Sequence, residues 1–128
     1  MRNYKNLGVW QNADELTVQI YRMTQNFPAK EMYGITSQIR RSAYSVPANI
    51  AEGCGRESNA DYLRFLSMAR GSLAETEYFL HLAKRLDYLD ESNWKQLTKL
   101  VNYTFASLAG LMKSVQDSLN SQPNRLMD

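Results

Sequence analysis

The sequence is poor in the residues that organise covalent or metal-dependent chemistry. Cys54 is its only cysteine and His81 its only histidine. A single thiol forms no internal disulfide, which is typical of a reducing compartment, so we expect a cytoplasmic protein. If the intervening segment is largely helical, Cys54 and His81 lie roughly 35–40 Å apart, too far to act together. One histidine also falls short of the two Glu-x-x-His pairs of a di-iron bundle. We therefore expect no catalytic residue, no metal and no cofactor.

Turn-forming residues and long apolar runs are also scarce. Six glycines and three prolines favour a few long helices over many short strands. No stretch approaches the roughly 18 apolar residues of a membrane span, and the N-terminal residues lack the apolar core of a signal peptide. Fifteen basic residues against thirteen acidic ones leave a net charge of only +2. We expect a protein that does not enter membranes.

Four segments carry apolar residues at helical spacing. They cover residues 9–27, 30–53, 60–86 and 91–119, with alternating steps of three and four in the first, third and fourth. Ser58 or Asn59 can cap the third helix, and Asp90 the fourth. Short connections favour antiparallel neighbours, so the sequence predicts an all-α, antiparallel up-down-up-down four-helix bundle. We assign residues 1–119 to one domain and 120–128 to a frayed tail.

Pro47 lies inside the second helical pattern. It lacks an N–H and crowds the carbonyl group of Ala43, so we expect helix two to be kinked near Pro47 or broken near Ser45. A fresh short helix capped by Ser45 is the alternative. The glycines Gly53 and Gly55 suit the end of this segment.

The third helix carries a second apolar stripe beside the first. This stripe contains Phe65, Met68, Phe79, Leu82 and Leu86, together with the polar Ser72 and Glu75. A carboxylate on such a stripe needs a partner or water, and we hypothesise that Glu75 pairs with Arg40 or Arg41. The wider apolar surface also predicts a contact between subunits.

Arginines are concentrated in the middle of the chain. Arg40, Arg41, Arg56, Arg64 and Arg70 fall within residues 40–70, where acidic residues are few. Guanidinium groups bind phosphate oxygens well, so these five are candidates for binding nucleic acid. The simpler interpretation is that Arg40 or Arg41 neutralises Glu75 and that the others are solvated.

The run Ser45-Val46-Pro47-Ala48-Asn49-Ile50-Ala51-Glu52-Gly53, with Gly55-Arg56 after it, closely resembles a known family. These are the four-helix-bundle proteins encoded by intervening sequences in bacterial 23S ribosomal RNA genes, sometimes labelled ribosomal protein-like. Phe27-Pro28 before the run and Ala69-Arg70-Gly71-Ser72-Leu73 after it extend the resemblance. It covers roughly residues 4–116.

The resemblance implies antiparallel four-helix bundles that assemble into barrel-shaped pentamers and have no known enzymatic activity. It also implies similarity in fold to the accessory protein of diversity-generating retroelements, which binds a reverse transcriptase and nucleic acid. In that family pattern Ser45, Asn49 and Glu52 shape the kink at Pro47, and Gly53 and Gly55 form the turn.

Two functions remain open from the sequence. The first is a homo-oligomer, a pentamer by resemblance, that binds RNA or DNA through the five arginines. The second is a scaffold that binds a protein partner and no nucleic acid.

Overall fold

The computed structural model describes residues 2–121, and within that range the chain is all-helical. Four α-helices span Gly8–Thr24 (α1), Ile35–Cys54 (α2), Asn59–Arg85 (α3) and Glu91–Ser121 (α4). Short 3₁₀ turns at Tyr4–Asn6 and Ala29–Glu31 precede α1 and α2. None of these helices is long and apolar enough to span a bilayer.

The four helices close into a bundle. Each packs against the next in the chain, and α1 also packs against α4. The fully buried side chains come from the predicted stripes, such as Leu16 of α1, Ile39 of α2, Leu73 of α3 and Leu108 of α4. The predicted all-α four-helix bundle is therefore confirmed, whereas the up-down order of the helices stays a prediction.

The α1–α2 connection differs from the prediction. The helix α1 ends at Thr24 rather than at residue 27, and α2 begins at Ile35 rather than near residue 30. Gly34 interrupts the pattern, because its backbone (φ −109°, ψ −120°) lies outside the helical region. Phe27 still reaches the core from this connection and packs on Tyr88, with the ring centroids 5.6 Å apart.

The helix α2 runs without interruption through Pro47. The predicted break near Ser45, and the fresh helix capped by Ser45, are therefore wrong, while the kink stays a prediction. Proline leaves the carbonyl oxygen of Ala43 without its usual donor. The Thr17 hydroxyl of α1 lies 3.1 Å from that oxygen and 2.8 Å from the carbonyl oxygen of Ala13, so its hydrogen serves both.

The predicted caps are present at α3 and α4. The Ser58 hydroxyl accepts a hydrogen bond from the Asp61 amide at 3.0 Å, and the Asp90 carboxylate accepts one from Asn93 at 2.8 Å. Of the predicted tail, Asn120 and Ser121 continue α4, and residues 122–128 lie outside the described range.

Candidate functional site

The five candidate arginines do not form one surface. Arg40 is turned toward α1, where it donates a hydrogen bond to the Thr24 hydroxyl at 2.8 Å and stacks on the Tyr21 ring at 4.7 Å. It also donates to the Tyr21 carbonyl oxygen at 3.4 Å. A positive charge at the C-terminus of α1 is favourable because that end of a helix carries partial negative charge. Arg40 therefore joins α1 to α2.

Arg41 forms the ion pair hypothesised for Glu75. Its Nη2 lies 2.5 Å from the Glu75 Oε2, which joins α2 to α3. Both side chains are 41% exposed, and solvent-exposed pairs of this kind contribute about 0–1 kcal/mol. The ion pair supplies the counterion that Glu75 needs on the apolar stripe. It also means that Arg41, one of the candidate arginines, already has a partner within the bundle.

Arg56 and Arg64 come together around the ring of Phe65. Each guanidinium carbon lies 4.5 Å from the ring centroid. Arg56 pairs with Glu52 at 2.9 Å and lies 3.7 Å from Asp61, which also pairs with Arg64 at 2.9 Å. This end of the bundle combines two arginines with two partly exposed carboxylates.

Arg2 joins this group, although it was not among the five predicted arginines. Its guanidinium donates to the Arg56 carbonyl oxygen at 2.6 Å and to the Asn59 side chain, and lies 4.2 Å from the Tyr62 ring centroid. The residue lies more than fifty positions before its partners, so no local pattern in the sequence indicated the contact. We call Arg2, Arg56 and Arg64 the turn arginines.

Arg70 stands apart from the turn arginines. It is exposed on α3 and forms no ion pair within residues 2–121. It lies seven residues before Glu77, on the side of α3 that faces α4.

The polar residues around Pro47 do not serve the freed Ala43 carbonyl group. Ser45 donates to the Arg41 carbonyl oxygen at 2.7 Å, and the Asn49 amide donates to the Ser45 carbonyl oxygen at 2.8 Å. Both bonds lie in the helical turns around the proline. The donor for Ala43 comes from another helix, which local sequence does not indicate.

Of the two motif glycines, only Gly55 lies in the predicted turn, directly after α2. Gly53 is buried within α2, and a Cβ there would lie 2.9 Å from the Phe65 Cβ, so glycine permits a close approach of α2 to α3. Gly55 follows the helix with φ −82°, and none of the described glycines has a positive φ. Within residues 2–121, Asp87 is the residue with a positive φ, at 59°, after α3.

Cys54 and His81 lie in different surroundings. Cys54 is 2% exposed, and its Sγ lies 3.6 Å from the hydroxyl of Tyr62. Burial is the main reason that the pKa of Tyr62 is raised, with the hydrogen bond to Cys54 adding to it. His81 is exposed, 6.3 Å from the Tyr78 ring. Within residues 2–121, no three His, Cys, Asp or Glu side chains group as metal ligands would.

The second stripe of α3 remains on the surface once the bundle has formed. Met68 is 46% exposed and Leu86 is 45% exposed, while Phe79 and Leu82 are half-buried. Phe65 belongs to the interior instead, at 5% exposed. We call Met68, Phe79, Leu82 and Leu86 the outer seam.

Residues 5–110 match the family model described as 23S rRNA-intervening sequence protein. The chain belongs to this family. The bundle with its Pro47-containing second helix is therefore the architecture of a 23S rRNA-intervening sequence protein.

A solved structure supports the same fold. The chain is similar to a protein of unknown function from the S23 ribosomal protein family of Bacteroides thetaiotaomicron, with a TM-score of 0.74 and 28% sequence identity. The similarity covers 82% of this chain and 98% of that one. No curated protein gives a significant match to the chain.

Proposed function

We propose that this 23S rRNA-intervening sequence protein is a non-enzymatic helical bundle that works as a homo-oligomer, a pentamer as its family resemblance implies. The outer seam is the observation that carries the proposal. From Met68 to Leu86 it follows α3 for about 27 Å, since a helix rises 1.5 Å per residue. Single exposed apolar residues are ordinary, but several aligned on one face of a helix are typical of a protein interface.

The surroundings of Cys54 support the non-enzymatic part of the proposal. A reactive cysteine has to be accessible to its substrate and to have a base beside it, whereas Cys54 is only 2% exposed. The sulfur of Cys54 has a neutral phenol as its hydrogen-bond partner. This side chain acts as a small apolar residue of the core.

Sedimentation equilibrium tests the proposed assembly. The wild-type protein is expected to give five times the 14.7 kDa mass of the chain. Replacing Met68 and Leu86 together by glutamate should lower that mass, because two charges would then have to be buried between subunits. Both side chains are nearly half exposed, so the variant should fold.

Val18→Glu is the matched control. Val18 is 36% exposed on α1, which does not pack against α3 within the described residues. Its replacement should leave the mass unchanged. A monomeric wild-type protein, or a folded double variant of unchanged mass, would contradict the proposal.

Nucleic-acid binding is a second candidate function, and the turn arginines favour it. Three guanidinium groups from separate parts of the chain meet around Tyr62 and Phe65 at the α2–α3 connection. Guanidinium groups held in place by packing suit phosphate recognition, because less conformational entropy is lost on binding. Glu52 and Asp61 reduce the local charge, so we propose moderate affinity.

A filter-binding assay tests this second function. Retention of labelled RNA at about 50 mM salt should fall steeply as salt rises, since phosphate contacts release counterions. Arg56→Gln with Arg64→Gln should weaken binding and reduce the salt slope by about one per lost contact. Arg22→Gln, on an exposed arginine of α1, is the control.

The scaffold alternative predicts a different result. In that case the protein retains no RNA at low salt and captures a specific protein in a pull-down that tolerates high salt. That pair of results would replace the nucleic-acid candidate and leave the proposed self-association intact.

A further inference from the structure

A groove between α3 and α4 continues onto the exposed face of α4 and is lined by aromatic side chains. Two adjoining depressions of about 380 and 370 Å³ share Trp94 and Thr98 as a common wall. Tyr78 and His81 of α3 line the first together with residues of α4, whereas the second, which includes Lys99 and Tyr103, is lined by α4 alone. From Trp94 to Tyr103 the groove follows α4 for about 14 Å.

Its aromatic side chains are open to solvent. Tyr78 is 56% exposed and Tyr103 is 58% exposed, although both belong to well-packed helices. Trp94 between them is half-buried. The two exposed tyrosine rings are not part of the hydrophobic core, so they can stack against a planar ligand.

The charge along the groove is positive. Lys84, Arg85, Lys95 and Lys99 lie on its two helices, and Arg70 extends the row along α3. The carboxylates facing this row from the same helices are Glu77 and Glu91. Five basic groups face two carboxylates on these helices, and Glu91 lies close to both Lys84 and Lys95. The face therefore carries a net positive charge.

Two of the lysines already contact the aromatic rings. Lys84 Nζ lies 4.2 Å from the Trp94 ring centroid and 2.5 Å from Glu91, while Lys99 Nζ lies 5.9 Å from the Tyr103 ring centroid. Arg70, Arg85 and Lys99 form no ion pair in the part of the chain that the structure describes. Their charges are available to an anionic partner.

Exposed aromatic rings beside unpaired cations suit a polyanion whose own units stack. Single-stranded nucleic acid combines phosphates with planar bases, whereas in a duplex the base faces are already occupied by neighbouring bases. At about 3.4 Å per nucleotide, 14 Å of groove holds about four stacked bases.

We propose that the α3–α4 groove binds single-stranded nucleic acid, with bases stacked on the exposed rings of Tyr78 and Tyr103 on either side of Trp94, and phosphates held by the basic row. The groove shares no residue with the turn arginines or the outer seam, so it is a separate site from those of both proposed functions. It also gives a role to Arg70, which lies apart from the other candidate arginines.

Fluorescence titration tests this proposal directly. Trp10→Phe leaves Trp94 as the only tryptophan, and adding a 20-nucleotide oligo(U) or oligo(dT) at about 50 mM salt should quench it. A duplex of the same length should bind more weakly. Absence of quenching, or equal affinity for duplex and single strand, would overturn the proposal.

Substitutions on the groove provide the second arm. Tyr78→Ala and Tyr103→Ala should each weaken binding roughly 5- to 150-fold, the equivalent of one lost base stack. Tyr44→Ala, which removes a tyrosine 47% exposed on α2, is the matched control and should leave affinity unchanged. Because these side chains are about half exposed, circular dichroism should find all three variants folded.

The same variants separate this proposal from the others. Loss of binding in Arg56→Gln/Arg64→Gln, with wild-type affinity in both tyrosine variants, would assign binding to the turn arginines and sink the groove proposal. A fall in sedimentation mass in Tyr78→Ala or Tyr103→Ala would mean that a second copy of the chain covers the groove, which also overturns it.

Discussion

Gly53 shows, at the scale of one residue, how the sequence motif allows two helices to approach closely. It lies within α2 at a point where the next helix passes so closely that even a methyl group would contact Phe65 and Tyr62. Gly71 and Gly110 are also helical, but a Cβ at either would meet nothing within 4 Å. Of these three glycines, Gly53 alone is needed for the close approach of two helices.

Replacing Gly53 by alanine should destabilise the protein by about 1–3 kcal/mol, the usual cost of overpacking a well-packed core. Gly71→Ala should instead stabilise it by about 0.5–1 kcal/mol, because alanine restricts the unfolded chain and favours helix. Urea unfolding of both variants measures the difference. A Gly53→Ala protein as stable as Gly71→Ala would mean that α2 and α3 readily move apart.

Tyr88 is a second residue with a defined partner. Its hydroxyl donates to the Glu31 carboxylate at 2.7 Å and so ties the α3–α4 connection to the α1–α2 connection. The hydrogen bond to Glu31 is the largest reason that the pKa of Tyr88 lies above its ordinary 10.0. A raised pKa means that the neutral phenol stabilises the fold below about pH 10 and that this contribution is lost as pH rises through the raised value.

Tyr88→Phe should therefore lower the melting temperature slightly at pH 8, and its difference from wild type should shrink above the raised pKa. Thermal melts across pH 7–12 measure this difference. Tyr33→Phe is the control, since Tyr33 is 94% exposed and has no such partner within residues 2–121. A difference that is constant with pH would show that the hydroxyl contributes through packing rather than through its ionisation.

Helix α2 illustrates the scale of the element. Its apolar spacing favours a helix through residue 47, whereas the proline removes a backbone donor in the same place. The helix continues because α1 supplies the Thr17 hydroxyl to the Ala43 carbonyl oxygen. A hydrogen bond from α1 to α2 thus replaces the backbone hydrogen bond that Pro47 removes from α2.

A double-mutant cycle tests this compensation. Thr17→Val keeps the shape of the side chain and removes the hydroxyl, and should destabilise wild type by about 1–3 kcal/mol through an unsatisfied buried carbonyl group. In a Pro47→Ala background the residue-47 N–H can serve Ala43, so Thr17→Val should cost less there. Equal costs in the two backgrounds would mean that Thr17 acts only through Ala13.

The α3–α4 connection lies where the predicted helix bounds place it, but the sequence pattern did not indicate its conformation. Asp87 takes a left-handed conformation after α3, and the Tyr88 amide donates to the Ala83 carbonyl oxygen at 3.0 Å. This bonding is a Schellman motif, in which glycine is usual at the left-handed position. With aspartate there, no glycine marked the turn.

The outer seam belongs to the scale of the whole molecule. A monomeric bundle would leave Met68 and Leu86 in water, whereas an oligomer would bury them with Phe79 and Leu82. Because association stabilises the folded chain by mass action, the melting temperature of an oligomer depends on protein concentration.

Thermal unfolding over a hundredfold range of concentration provides the corresponding prediction. The melting temperature of the wild-type protein should rise with concentration, and that of Met68→Glu/Leu86→Glu should not. Val18→Glu should behave as wild type does. A melting temperature that is independent of concentration in the wild-type protein would indicate that the outer seam stays in water.

The sequence by itself determined the fold class, the identity of the four helices and most of the core. Heptad-type spacing leaves few other ways to bury Leu16, Leu73 and Leu108 together, and Asp90 marks its helix start by local chemistry alone. The pairing of Glu75 with an arginine of α2 was also predictable, because a charge on an apolar stripe needs a counterion.

Only the tertiary structure decided how the functional candidates are grouped. In the folded chain Arg2 lies beside Arg56, and Arg40 donates a hydrogen bond to α1. The Thr17 hydroxyl donates to the Ala43 carbonyl oxygen, and Tyr78 and Trp94 line the same groove. These residues are 16 or more positions apart, and periodicity fixes which face of a helix a side chain occupies. It does not fix which neighbouring helix that face meets, or at what height, because those depend on how the four helices pack together.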